Sequence, residues 1–93
     1  MVLIILERVP VGLRGELTRW LLQPKAGVFV GTVSAMVREK LWTRVLRNKK
    51  TGGAIMIHNS NTEQGFAVRT YGPTSRLVED FEGVLLVKTP LRT

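Results

Sequence analysis

Five consecutive apolar residues, Val2-Leu3-Ile4-Ile5-Leu6, stand near the start of the chain and are followed at once by Glu7, Arg8 and Pro10. A run of strand length with no polar member reads as a strand covered on both faces, because a half-exposed strand alternates apolar with polar residues. Such a strand belongs in the middle of a sheet. The chain around it has 93 residues, enough for one domain with a thin core. It has no cysteine, so neither a disulfide framework nor a thiolate zinc site reinforces that core. Association with a second copy is the remaining source of buried area, and a homodimer is expected.

The rest of the pattern supplies the layers. Apolar residues at 13, 17, 20 and 21 predict a helix from Leu13 to about Leu22, stopped before Pro24. The glycine-bounded segment at 26–31 predicts a strand, and Thr32 or Ser34 is a suitable cap for a second helix ending near Asn48. In that helix Val37, Leu41, Trp42, Val45 and Leu46 sweep one side, and Lys40, Arg44 and Arg47 fall on the other. Residues 49–53 (KKTGG) read as a loop, 54–59 as a strand, and 66–71 as its hairpin partner across a polar tip. A polar linker from residue 73 leads to a last strand at 84–88 and a basic tail. The order β, α, β, α, β, β, β suits one α+β domain over 1–93, a ferredoxin-like sandwich with an antiparallel-type sheet and two helices on one face. No apolar stretch approaches the roughly 18 residues of a membrane span, and a cytoplasmic protein without membrane contact is expected.

Charge narrows the function. Fourteen Lys and Arg oppose seven Asp and Glu, and the excess is uneven. From Arg8 to Lys50 there are ten basic residues and two acids, Glu16 and Glu39, whereas residues 51–93 carry four of each sign. A field concentrated in this way points to a polyanion, since Lys and Arg that neutralise phosphates release condensed counterions. An anionic membrane fits less well, because the basic residues do not flank a wide apolar helix face.

Most catalysis is excluded by what the chain lacks. The single histidine, His58, lies inside a strand with no acid or cysteine at ligand spacing and reads as structural. Ser34, Ser60 and Ser75 have no elbow or triad context, and GLRG at 12–15 lacks the spacing and lysine of a phosphate loop. The segment 64–71, QGFAVRTY, partly matches the RNA-recognition signature through Gly65, Phe66, Ala67 and Tyr71. That fold also needs an aromatic on its first strand, and residues 2–6 have none, so Phe66 reads as core and Tyr71 as a packed strand end. Only carboxylate and metal chemistry survives.

Three long stretches, residues 3–22, AGVFVGTVSAMVREKLW at 26–42 and NTEQGFAVRTYG at 61–72, together resemble the type I-E branch of CRISPR-associated protein two, the small partner of the CRISPR integrase. The resemblance runs from about Val2 to Lys88. It implies a ferredoxin-like homodimer whose C-terminal segment, 73–93 here, crosses or docks onto neighbours. It further implies a DNA-binding scaffold in spacer acquisition, seated between two integrase dimers and holding the double-stranded DNA of a new spacer. The alternative it carries is a metal-dependent endonuclease acting on RNA or DNA.

The same resemblance assigns candidate roles. Glu7 takes the carboxylate position of the nuclease activity, as catalytic residue and metal ligand. A two-fold axis near the strand end would bring two Glu7 side chains together, and a hard ion such as Mg²⁺ is the natural counter-charge. Arg14 and Arg76 match basic residues that contact the DNA backbone, and Arg8 falls where relatives contact DNA with an amide. Gly12, Met36 and Ser75 occupy positions where relatives can place a basic residue, so a shifted set such as Arg8, Lys25, Lys40 and Arg44 is expected. Arg38 lies within the apolar arc of the second helix, where pairing to an acid or backbone competes with DNA contact. Glu63 and Glu82 match positions facing the integrase.

Overall fold

The computed structural model describes residues 1–73. Arg76, Glu82, the expected strand at 84–88 and the linker and tail of 73–93 lie, save for Pro73, outside the described residues. Five strands and two helices follow one another as β1 (Val2–Leu6), α1 (Val11–Thr18), β2 (Leu22–Lys25), β3 (Val28–Gly31), α2 (Ala35–Arg47), β4 (Ala54–Asn59) and β5 (Phe66–Tyr71). They form one sheet in the order β2-β3-β1-β4-β5, every neighbouring pair antiparallel. The wholly apolar β1 is central, with Ile4 opposite Phe29 on one side and Met56 on the other. This is the α+β, ferredoxin-like arrangement, with β5 added beside β4.

Pleating divides the sheet into two apolar faces. On one, Val2, Ile4, Leu6, Phe29, Ala54 and Met56 pack with Leu13, Leu17, Leu21, Leu41, Trp42 and Val45 from the helices and the turn after α1. On the other, Ile5, Ile55, Ile57 and Phe66 cluster with the half-buried Leu3. Both helices thus serve one face.

The second helix forms where its periodicity predicts, and Ser34 rather than Thr32 is the cap, its Oγ accepting from the Val37 amide at 3.2 Å. The first helix is shorter than its apolar spacing predicts. It ends at Thr18, and tight bonds from Arg19 N to Glu16 O and Trp20 N to Leu17 O turn the chain. Leu21 then drops into the core, and Leu22 begins β2. Over the described residues the expected order β, α, β, α, β, β becomes β, α, β, β, α, β, β, because residues 22–25 pair with β3. Pro24 is compatible with this strand because β2 is an edge. The hairpin back into β3 requires Gly27, whose φ is +80° and where a Cβ would fall 2.7 Å from the Leu6 carbonyl oxygen.

Candidate nucleic-acid interface

The topology gathers several chain segments at one end of the molecule. The C-terminal end of β1, the start of α1, the end of α2 and the connection 48–53 all meet there. The β4–β5 tip is at the other end, beside Met1, whose ammonium donates to Asn59 Oδ1 at 2.6 Å.

The connection 48–53 is built bond by bond. Asn48 Oδ1 accepts from the Lys50 amide at 3.0 Å, and the Asn48 carbonyl accepts from Thr51 Oγ1 at 3.0 Å and Thr51 N at 3.3 Å. These local bonds end the helix and reverse the chain. Thr51 is fully buried, while Lys49 and Lys50 remain exposed. The loop is then fixed to the end of β1, with Arg8 N donating to Thr51 O at 3.0 Å and Glu7 N to Gly53 O at 2.9 Å. In return the Gly53 amide donates to Glu7 Oε1 at 3.0 Å.

A cavity of about 390 Å³ opens between α1 and the end of α2, walled by Glu16, Arg44, Arg47, Lys49 and Lys50 over a floor that includes Leu13. Glu16 answers only Arg44, at 3.3 Å, and that pair is largely exposed. Among the described residues, Arg8, Arg14, Arg47, Lys49 and Lys50 have no ion-pair partner. The start of α1 adds to the positive character, since Pro10 caps it without a side-chain hydrogen bond and its first turn holds no acid. At the end of α2, Arg44 and Arg47 also complement the helix dipole.

Arg8, Arg14 and Arg44 therefore share this end. Lys40 lies farther along α2, in a groove of about 710 Å³ with Arg19, Arg44, Met36 and the exposed Trp20. Lys25 lies at the end of the edge strand β2. Arg38 stands elsewhere, its Nε donating to Glu39 Oε2 at 3.0 Å. Glu39 is held chiefly by Arg69 of β5, whose two terminal nitrogens donate to its two oxygens at 2.6 Å each. The Arg69 hydrogen bond, aided by Arg38 against partial desolvation, lowers the Glu39 carboxyl to about 2 and raises the Arg69 guanidinium in turn. Glu63 is exposed at the β4–β5 tip. His58 is buried, its Nδ1 2.7 Å from the Asn59 carbonyl oxygen and its Nε2 without a hydrogen-bond partner among the described residues.

Sequence reasoning left Arg47, Lys49 and Lys50 out of the interface. The signal was present in KKTGG directly after the Arg44 and Arg47 turn, since a loop closing a helix carries its cations to the helix end. Glu7 is half-buried, and one of its oxygens is committed to the Gly53 amide. No group of three or more His, Asp or Glu side chains stands together among the described residues.

Architecture and charge define a small ferredoxin-like α+β protein with one cationic end. The chain matches the family model of the CRISPR-associated protein Cas_Cas2CT1978 over residues 1–86 and belongs to that family, a Cas2 family. Membership supports a role in CRISPR adaptation. No helix among the described residues is long and apolar enough to cross a membrane.

Proposed function

We propose that the protein is the DNA-binding scaffold of a CRISPR adaptation complex, a homodimer of the type I-E kind that holds the duplex of a new spacer beside the integrase of its own system. The observation that carries this reading is the gathering of Arg47, Lys49 and Lys50 around the exposed Arg44–Glu16 pair, with Arg8 at the adjoining end of β1 and Arg14 in the first half of α1, all five without ion-pair partners among the described residues. A surface of point charges suits phosphates, whose neutralisation is independent of sequence. A spacer-capturing protein has to accept nearly any foreign sequence, so backbone contact is what the task requires. Arg76 joins the phosphate contacts in this reading, and Glu63 and Glu82 meet basic residues of the integrase at a polar rim.

The homodimer draws support from the sheet face turned away from the helices. It carries Ile5, Ile55, Ile57 and Phe66 as a cluster, continued by Val68, which is 42% exposed. The first four are only 1–9% exposed within one chain, so what this face leaves for a second copy in this reading is its Val68 margin, with 73–93 docking onto neighbours. Val68→Asp is expected to shift the protein from dimer to monomer in sedimentation velocity at micromolar concentration. A stable dimer in that variant would move the interface elsewhere.

Duplex titrations across a salt series test the main reading. Arg14→Ala is expected to weaken several unrelated duplexes equally and to lower the slope of log affinity against log salt by about one unit. An unchanged slope, or a loss confined to one sequence, would remove Arg14 from the interface.

A further inference from the structure

Glu7 meets the connection 48–53 from below, and the contacts run both ways. Its amide donates to the Gly53 carbonyl, and its carboxylate accepts from the Gly53 amide. Gly52 between them has φ +71°, and a Cβ there would collide with Glu7 Oε1 and lie 3.4 Å from Arg8 Nη1. Gly52 is in turn pressed from the far side, since a Cβ on Gly72 would stand 3.0 Å from the Gly52 carbonyl oxygen. The carboxylate thus fills the space that a side chain at 52 would take. The loop it grips carries Lys49 and Lys50 at its other end, three residues from Gly52 and Gly53.

We infer that Glu7 is a positioning residue: its carboxylate latches the Gly52–Gly53 backbone to the end of β1 and so sets where Lys49 and Lys50 stand, in place of holding a metal ion. The inference about DNA rests on the duplex-binding reading above, while the latch itself does not. A charge-assisted bond from a backbone amide to a carboxylate is stronger than a neutral one, and losing it leaves a buried Gly53 amide without its acceptor. A carboxylate beside a cationic surface otherwise opposes phosphate. Electrostatics alone therefore predicts that any neutral replacement of Glu7 tightens duplex binding. The latch predicts a split between replacements. Gln keeps an acceptor for the Gly53 amide, and Ala does not.

Glu7→Gln, Glu7→Ala and Gly52→Ala are to be compared in the full chain by amide exchange at Gly53 and by duplex titration, each also in a Lys49→Ala/Lys50→Ala background. Gly52→Ala attacks the same contact from the loop side and covers the case in which Glu7→Ala fails to fold. Exchange at Gly53 is expected to quicken at least tenfold in Glu7→Ala and Gly52→Ala and to stay near the parent in Glu7→Gln. Duplex affinity is expected to fall roughly three- to tenfold in the first two, to hold or rise in Glu7→Gln, and to show no such fall when both lysines are absent.

Unchanged Gly53 exchange in both Glu7→Ala and Gly52→Ala would overturn the latch. A fall in affinity that persists without the lysines would overturn the positioning role. Millimolar MgCl₂ shifting the Gly53 amide in the parent, with that shift abolished in Glu7→Gln, would return Glu7 to metal binding. If the parent binds no duplex at all, the scaffold reading fails together with the positioning role, and the Gly53 exchange still decides the latch.

Discussion

Two groups of cations flank α2, and they are in opposite states. Arg38 and Arg69 converge on Glu39, which gives both oxygens to Arg69 at 2.6 Å and one to Arg38 at 3.0 Å. Arg47, Lys49 and Lys50, at the helix end, have no ion pair among the described residues. The first group spends its charge inside the fold, tying β5 to α2. The second presents its charge to solvent. A formal charge of +7 therefore overstates some places and understates others. What decides whether an arginine serves the fold or a ligand is whether an acid can reach it.

The largest expected difference between the two groups is in duplex affinity. Replacing Arg47, Lys49 and Lys50 together by Ala is expected to weaken duplex binding by about 10²-fold at physiological salt and to flatten the salt slope by about three units. Arg69→Ala is expected to leave that affinity within about twofold. Equal losses from the two sets would erase the distinction.

Stability is expected to respond in reverse. Arg69→Ala removes the bidentate partner of Glu39 and is expected to cost about 0.5–1 kcal/mol, a value held down because the pair is 38% and 43% exposed and screened by water. For a domain of this size that is a fall of a few degrees in Tm. The triple replacement at the helix end is expected to cost less than this, since none of its members has an ion-pair partner among the described residues to lose.

Acid sharpens the same contrast. Glu39 has its carboxyl lowered from 4.5 to about 2, so the native state favours the charged form. Its stabilisation is fully present above the unfolded value near 4.5 and is lost as pH falls through the folded value near 2. Denaturant midpoints measured from pH 5 to 2 are expected to decline less steeply in Arg69→Ala than in the parent. The smallest effect concerns Arg44, which belongs partly to each group through its exposed 3.3 Å pair with Glu16. Glu16→Gln is expected to raise duplex affinity about twofold, read from the same titrations, because an exposed pair of this kind is worth only about 0.2–1 kcal/mol.

Much of the framework was legible because it rests on periodicity. The uninterrupted β1, a cap at Thr32 or Ser34, the amphipathic α2 and the β4–β5 hairpin follow from local patterns that nothing in the fold opposes. The end of α1 was not legible. Trp20 and Leu21 suit a continued helix as well as they suit a turn, and Pro24 excludes helix only from its own neighbourhood onward. Only pairing with β3 selects the strand at Leu22.

By itself the sequence determined that this is a small, cysteine-free α+β domain with a buried central strand and a cationic first half, since composition and spacing act along the chain and need no partner. The tertiary structure decided what those charges meet. Arg38 had two open fates by its spacing, and in the fold it donates to Glu39, which also receives Arg69 from 30 residues along the chain. Lys49 and Lys50 read as an ordinary loop in the sequence, and only the fold brings Glu7, 46 residues before Gly53, to accept the Gly53 amide at the far side of that loop. A side chain's type is local, but the distance to its counter-charge or its backbone partner is set by closing the sheet, and that closure is what separates a structural cation from an available one.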